Sequence, residues 1–154
     1  MSHSLDLREA VKARFYPFVE SRGFVRGKAT SLLTVFRRRE GQSVQVFDIQ
    51  WEKYGTPRFV INFGEVPLHN LRVEERELET YHCETLGRLK RKTGPYLRSW
   101  FQLDKPWLEA MVSLRRRYQP EEVVDQLVAL FPEVESWWSN KVEGPHVEFL
   151  PRAG

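Results

Sequence analysis

Chemistry on a protein needs titratable, nucleophilic or metal-ligating groups that converge, and this chain offers few. Its histidines and single cysteine are His3, His69, His82, Cys83 and His146, with none of the repeated close spacing that holds a zinc ion. His82 and Cys83 are neighbours in a segment that reads as a strand, where adjacent side chains point to opposite faces, so they would not chelate together. Nothing near Cys83 marks it as a nucleophile, and a lone cysteine of this kind is expected to serve as a small buried filler. The glycines of GFVRGK follow a helical pattern instead of a strand and lack the Lys-Ser/Thr ending of a phosphate loop. The expectation is a chain with no catalytic residues, no metal site and no cofactor.

Groups suited to binding are more plentiful. Arg37, Arg38 and Arg39 end one predicted strand, Arg88, Lys90, Arg91 and Lys92 surround another, and Arg115, Arg116 and Arg117 end a predicted helix. With Tyr96 and Trp100 nearby, these are the forks and rings that contact phosphates and unstacked bases, although arginines at a helix C-terminus also complement its dipole. A second candidate surface consists of Asp48, Gln50 and Asn62 with Arg58 at a strand entry. Set between Val46 and Val60, it has the texture of a small-molecule or peptide groove or, more blandly, of a cross-strand amide pair.

These groups must be positioned by an α+β framework. Residues 4 to 22 read as a helix with Ser4 as cap, Leu7, Val11, Phe15 and Phe18 on one face, Gly23 as its stop, and a kink or restart at Pro17. From Ser31 to Val66 the period changes to two, and three runs separated by EG and YGTP predict an antiparallel meander. Pairing Trp51 with Ile61, and hence Gln50 with Asn62, puts Phe47, Ile49, Trp51, Phe59, Ile61 and Phe63 on one core face. Residues 67 to 80 read as an exposed, charged connector with room for a short helical turn. YHCETLGRL and LRSWFQL, joined by a Gly94-Pro95 turn, bring the expected strand number to about five.

Beyond Asp104 the helical period returns. Asp104 is expected to cap a helix ending near Tyr118, Pro120 to open a second with Val123, Val124, Leu127 and Leu130 on one face, and Pro132 to start a short third. The final stretch, VEGPHVEFLPRAG, reads as a tail or an edge segment. The fold class is therefore α+β, with N-terminal and C-terminal helices packed on an antiparallel sheet in one domain spanning residues 1 to 154.

Composition narrows the function classes. With 41% apolar and 29% charged residues the chain is an ordinary globular one, and no apolar stretch approaches the roughly 20 residues of a spanning helix. One cysteine excludes an intramolecular disulfide, and the chain is expected to be cytoplasmic, with no membrane partner. The net charge of +3 is split, since residues 120 to 150 carry −6 and residues 1 to 119 carry +8. Such a division can steer an anionic partner or join two surfaces within the fold.

The order of features resembles a known family. A helix, then Gly23, Phe24, Arg26 and Gly27, then Phe36 to Arg38, a strand bearing Gln50, FVINFG from Phe59 to Gly64, LGRL from Leu86 to Leu89 and the pair Trp100, Phe101 are similar to the bacterial domain-of-unknown-function family numbered 4304. The likeness covers about residues 8 to 131, and this chain differs by a longer helical segment around 105 to 118. It implies a helix packed on an antiparallel sheet, carries no established activity, and places Gln50 and Asn62 at recurrent amide positions. The functional expectation is a non-catalytic binding or protein-interaction module. The alternatives are a small-ligand protein or enzyme using the Asp48, Gln50 and Asn62 face, and a nucleic-acid binder using the arginines.

Overall fold

In a computed structural model, described over residues 3–91 and 100–150, seven strands form one antiparallel sheet. They are β1 (Val25–Ala29), β2 (Leu33–Glu40), β3 (Ser43–Trp51), β4 (Arg58–Pro67), β5 (Leu86–Leu89), β6 (Phe101–Gln102) and β7 (Val147–Leu150). Their order is β1-β2-β3-β4-β5-β7, with β6 also pairing to β4 beyond the end of β5. Two strands exceed the expected five: β1, which begins inside the GFVRGK run, and β7, which makes Val147–Leu150 of the final stretch an edge strand. The predicted Gly94-Pro95 turn lies outside the described residues.

The N-terminal helical run follows the proline as expected. Helix α1 (His3–Ala10) passes into a π-turn at Val11–Phe15, and α2 (Tyr16–Glu20) continues from it. The wider turn appears just where Pro17 withdraws a ladder donor, and the Tyr16 N–H reaches the Val11 carbonyl five residues back. Ser4 lies within the first turn instead of capping it. Gly23, at φ +91°, ends the run.

The core face is the expected one, but the register is not. Asp48 pairs with Asn62, Gln50 with Val60 and Trp51 with Phe59, a slide of two residues from the predicted pairing. A slide of two leaves every side chain on its own face, so the apolar alternation cannot detect it. The loop decides: Glu52 receives the N–H groups of Tyr54 and Thr56 at 2.9 Å each, and Gly55 turns at φ +86°, which shortens the connection. Phe36, Phe47, Ile49, Phe59, Ile61 and Phe63 are fully buried in one cluster with Phe15, Phe24 and Phe131.

The C-terminal helices depart further from expectation. Helix α3 (Trp107–Ser113) is short, has Pro106 at its cap position in place of Asp104, and stops at Leu114 in a left-handed conformation, well before Tyr118. Asp104 instead pairs with Arg117 at 2.9 Å. The expected third helix at Pro132 is absent, because α4 (Pro120–Asn140) runs through it. Pro132 gives up one backbone bond, while Phe131, Val134, Trp137 and Trp138 on either side are buried and hold the helix to the sheet. The Trp138 indole donates to the Gly64 carbonyl at 2.9 Å, tying α4 to β4.

The connector is not the exposed linker it reads as. It forms short 3₁₀ turns at Leu68–Asn70, Glu75–Glu77 and Thr80–His82, so His82 and Cys83 do not lie in a strand. Leu78 and Cys83 are buried with Val35, Val44, Val46 and Val66 in a second apolar cluster, and Leu68, Leu71 and Val73 pack against it. The connector thereby covers much of the sheet face opposite the aromatic core. Gly64 permits the approach, since a Cβ there would stand 2.7 Å from Cys83 Cβ and Sγ.

Candidate functional site

Three surfaces carry groups whose placement invites function, and they lie on different parts of the fold. The first is a polar seam on the second face of the sheet. Alternation along β3 and β4 turns Asp48 and Asn62 to the same side, and the connector brings Thr80 over them. Asp48 Oδ1 accepts from Asn62 Nδ2 at 2.8 Å and Oδ2 from Thr80 Oγ1 at 2.5 Å. The same Asn62 nitrogen donates to Gln50 Oε1 at 2.8 Å, and Asn62 Oδ1 accepts from Arg88 Nε of β5 at 3.0 Å.

Asp48 is only 2% exposed, and its carboxyl is pushed up to about 6, because removal from water outweighs the hydrogen bonds and the Arg88 charge that favour ionisation. Cys83 lies nearby with its thiol raised to about 12, first by burial and then by the charges of Glu65 and Asp48, so the thiolate a nucleophile needs is suppressed.

The predicted quartet is thus divided. Asp48 and Asn62 are sealed beneath the connector, while Gln50 and Arg58 reach a second surface, an open groove of about 580 Å³ at the end of β3 and β4. Its walls are Leu32, Leu33, Trp51, Tyr54 and Trp100. The Arg58 guanidinium lies 5.0 Å from the Trp100 ring centre, and its Nε is enclosed with no acceptor among the described residues. Trp51, Tyr54 and Trp100 were not singled out beside Arg58 in the sequence. They come from three separate elements, and only the β-hairpin loop and β6 bring them together.

The third surface is α3, which buries none of its residues. Trp107, Leu108, Met111, Val112 and the following Leu114 are 58–89% exposed. Five large apolar side chains on one segment form a contiguous exposure beyond the scattered single residues of an ordinary surface.

The predicted anion contacts are dispersed by the fold. Arg38 points away from Arg37 and Arg39, donates to Gln45 Oε1 and to the Arg22 carbonyl, and stacks 4.3 Å from the Phe24 ring. Arg39 pairs with Glu75, Arg115 with Glu122, and Arg117 with Asp104, while Arg116 stays exposed. Arg91 turns inward to the Tyr118 hydroxyl at 2.8 Å. Lys92 and Tyr96 lie outside the described residues.

A family described as a domain of unknown function, DUF4304, matches residues 15–141, which is most of the chain. The chain belongs to the DUF4304 family. The match takes in the helical run from Phe15, the last residue of the π-turn, the sheet from β1 to β6, α3 and all of α4, so the seam, the groove and the α3 surface all fall within the DUF4304 region. No curated protein and no solved structure matches the chain. Among the described residues, no helix is long and apolar enough to cross a membrane.

Proposed function

We propose that this DUF4304 domain is a non-catalytic binding module that holds a protein partner on α3. The observation that carries the reading is the exposure of Trp107, Leu108, Met111, Val112 and Leu114 on a segment that contributes nothing to the core. Tryptophan and methionine at the centre of a surface patch are the residue types that anchor interfaces. Lys105 and the exposed Arg116 flank the patch, which suits an apolar partner segment carrying acidic residues beside its anchors. A second copy docked with its two-fold axis through the patch would bring these cations toward their own like charges, which disfavours self-association there. The internal hydrogen bonds of Arg38 and the ion pairs of Arg39, Arg115 and Arg117 weigh against a nucleic-acid surface, and the single, buried cysteine is in keeping with a cytoplasmic setting.

The test is a double substitution, Leu108→Asp with Val112→Asp, compared with the unaltered chain in chemical crosslinking and affinity recovery from cell extract. Because both side chains are exposed, thermal stability is expected to stay within about 0.5 kcal/mol of the parent. A defined protein that crosslinks to α3 and is lost from the folded variant supports the reading. Identical recovery by both proteins sinks it.

A further inference from the structure

The groove at the end of β3 and β4 is separate from α3 and does not depend on how α3 is used. Its polar groups are few and mostly uncommitted. The Arg58 side chain forms no hydrogen bond or ion pair among the described residues, and its Nε–H is enclosed without an acceptor. A partly desolvated guanidinium held on a tryptophan ring is oriented but unsatisfied, and buried polar groups normally have partners. Gln50 gives its carbonyl oxygen to Asn62, which leaves its amide donor to the groove. Lys53 sits over the Tyr54 ring at 5.0 Å, and from behind the groove Arg8 sits over Trp51 at 4.5 Å.

Against these cations the groove wall holds one acid, Glu52. Burial alone would raise its carboxyl, but the backbone N–H groups of Tyr54 and Thr56 and the Arg58 charge together hold it below the usual range. It is therefore a fixed negative charge whose oxygens are already occupied by loop amides.

We infer that this groove binds a small organic carboxylate with a planar or branched apolar body, its head paired to the Arg58 fork and the Gln50 amide and its body lying between Trp51, Tyr54 and Trp100. The volume of about 580 Å³ lies within the range of small-molecule sites, and a few polar groups set in aromatic walls is their usual composition. A guanidinium matches carboxylate and phosphate alike. The fixed charge of Glu52 distinguishes them, because it repels a dianionic phosphate more strongly than a singly charged carboxylate.

The test uses the full chain and three probes of one shape: 2-naphthoate, 2-naphthyl phosphate and neutral 2-naphthamide, titrated by calorimetry and by the indole N–H resonances of the tryptophans. We expect 2-naphthoate to bind best, with Trp51 and Trp100 resonances moving and those of Trp137 and Trp138, which do not line the groove, remaining still. Replacing the charged head by the amide, or Arg58 by Gln, is expected to weaken binding by roughly tenfold or more, as loss of a charge-assisted pair does. Arg58→Lys, which keeps the charge but not the fork, should fall between. If Arg58→Gln does not fold, the exposed Tyr54→Ala replaces it, with an expected loss of roughly threefold from the ring contact. The Leu108→Asp, Val112→Asp protein should bind as the parent does. Equal affinity for acid and amide, stronger binding of the phosphate, no binding of 2-naphthoate, or an Arg58→Gln protein that binds normally would each overturn the inference.

Discussion

The two faces of the sheet are held by different physics. On one, Phe15, Phe24, Phe36, Phe47 and Phe131 interlock with ring centres 5.0 to 6.0 Å apart, and the helices cover them with further apolar area. On the other, a smaller apolar cluster lies beside a buried carboxyl, the connector is pinned to that carboxyl by Thr80, and Asn62 and Arg88 continue the directed bonds across the strands beneath it. Area burial is tolerant of detail and indifferent to pH. A buried polar seam fixes a position closely but carries a dependence on protonation that the aromatic face lacks.

The comparison can be broken most decisively on the aromatic side. Phe47 touches the rings of Phe15, Phe24, Phe36 and Phe131, so Phe47→Ala should cost about 3–5 kcal/mol, read from the urea midpoint at unchanged slope. A loss under about 1 kcal/mol would mean that the face is not the main source of stability.

Asp48 sharpens the contrast from the other side. Its folded carboxyl lies at about 6 against an ordinary 3.8, so the folded state holds the proton more tightly than the unfolded chain. The associated stability is full below about pH 4 and is lost as pH rises through 6, a change of up to about 3 kcal/mol. Asp48→Asn should flatten this slope between pH 4 and 7 and leave the protein more stable than the parent at pH 8. Parallel stability curves for the two proteins would remove Asp48 as the source of pH dependence.

A methyl group at Gly64 would press on Cys83 and stand 2.8 Å from the Thr85 carbonyl, so Gly64→Ala should cost about 2 kcal/mol by lifting the connector. Adding Cys83→Ala should recover only part of it, because the backbone oxygen stays; full recovery in denaturation would show that the thiol alone set the spacing. The smallest effect is expected from Arg76→Ala. It breaks an exposed pair with Glu74 on the connector's outer surface and should change the melting midpoint by less than about 0.5 kcal/mol in free energy.

The same contrast explains what could be read from the residues alone. Phe47, Ile49 and Trp51 alternate with polar neighbours through β3, so the core face was legible, whereas the two-residue slide that pairs Asn62 with Asp48 preserves that alternation and was not. Leu68, Leu71, Val73 and Leu78 follow neither a strand nor an α-helical period because they sit on 3₁₀ turns and extended links, and the charges between them disguised a cover as a linker. Of the site residues, Gln50, Arg58 and Asn62 were visible as polar breaks in apolar strands. Thr80 and Arg88 were not recognised as their partners, since only the folding of the connector and β5 brings them near Asn62 and Asp48.

One pairing has a consequence in time. Strand β5 is bounded on one side by β4 and on the other by β7, whose residues follow it by about 60 positions. At about 5–20 residues per second, the outer edge of β5 stays unpaired for roughly 3–12 s of synthesis after it has been made. Arg88 and Lys90 on and beside that strand supply the charges that discourage a stranger from pairing there first. The last rung of the sheet is therefore guarded before it is closed.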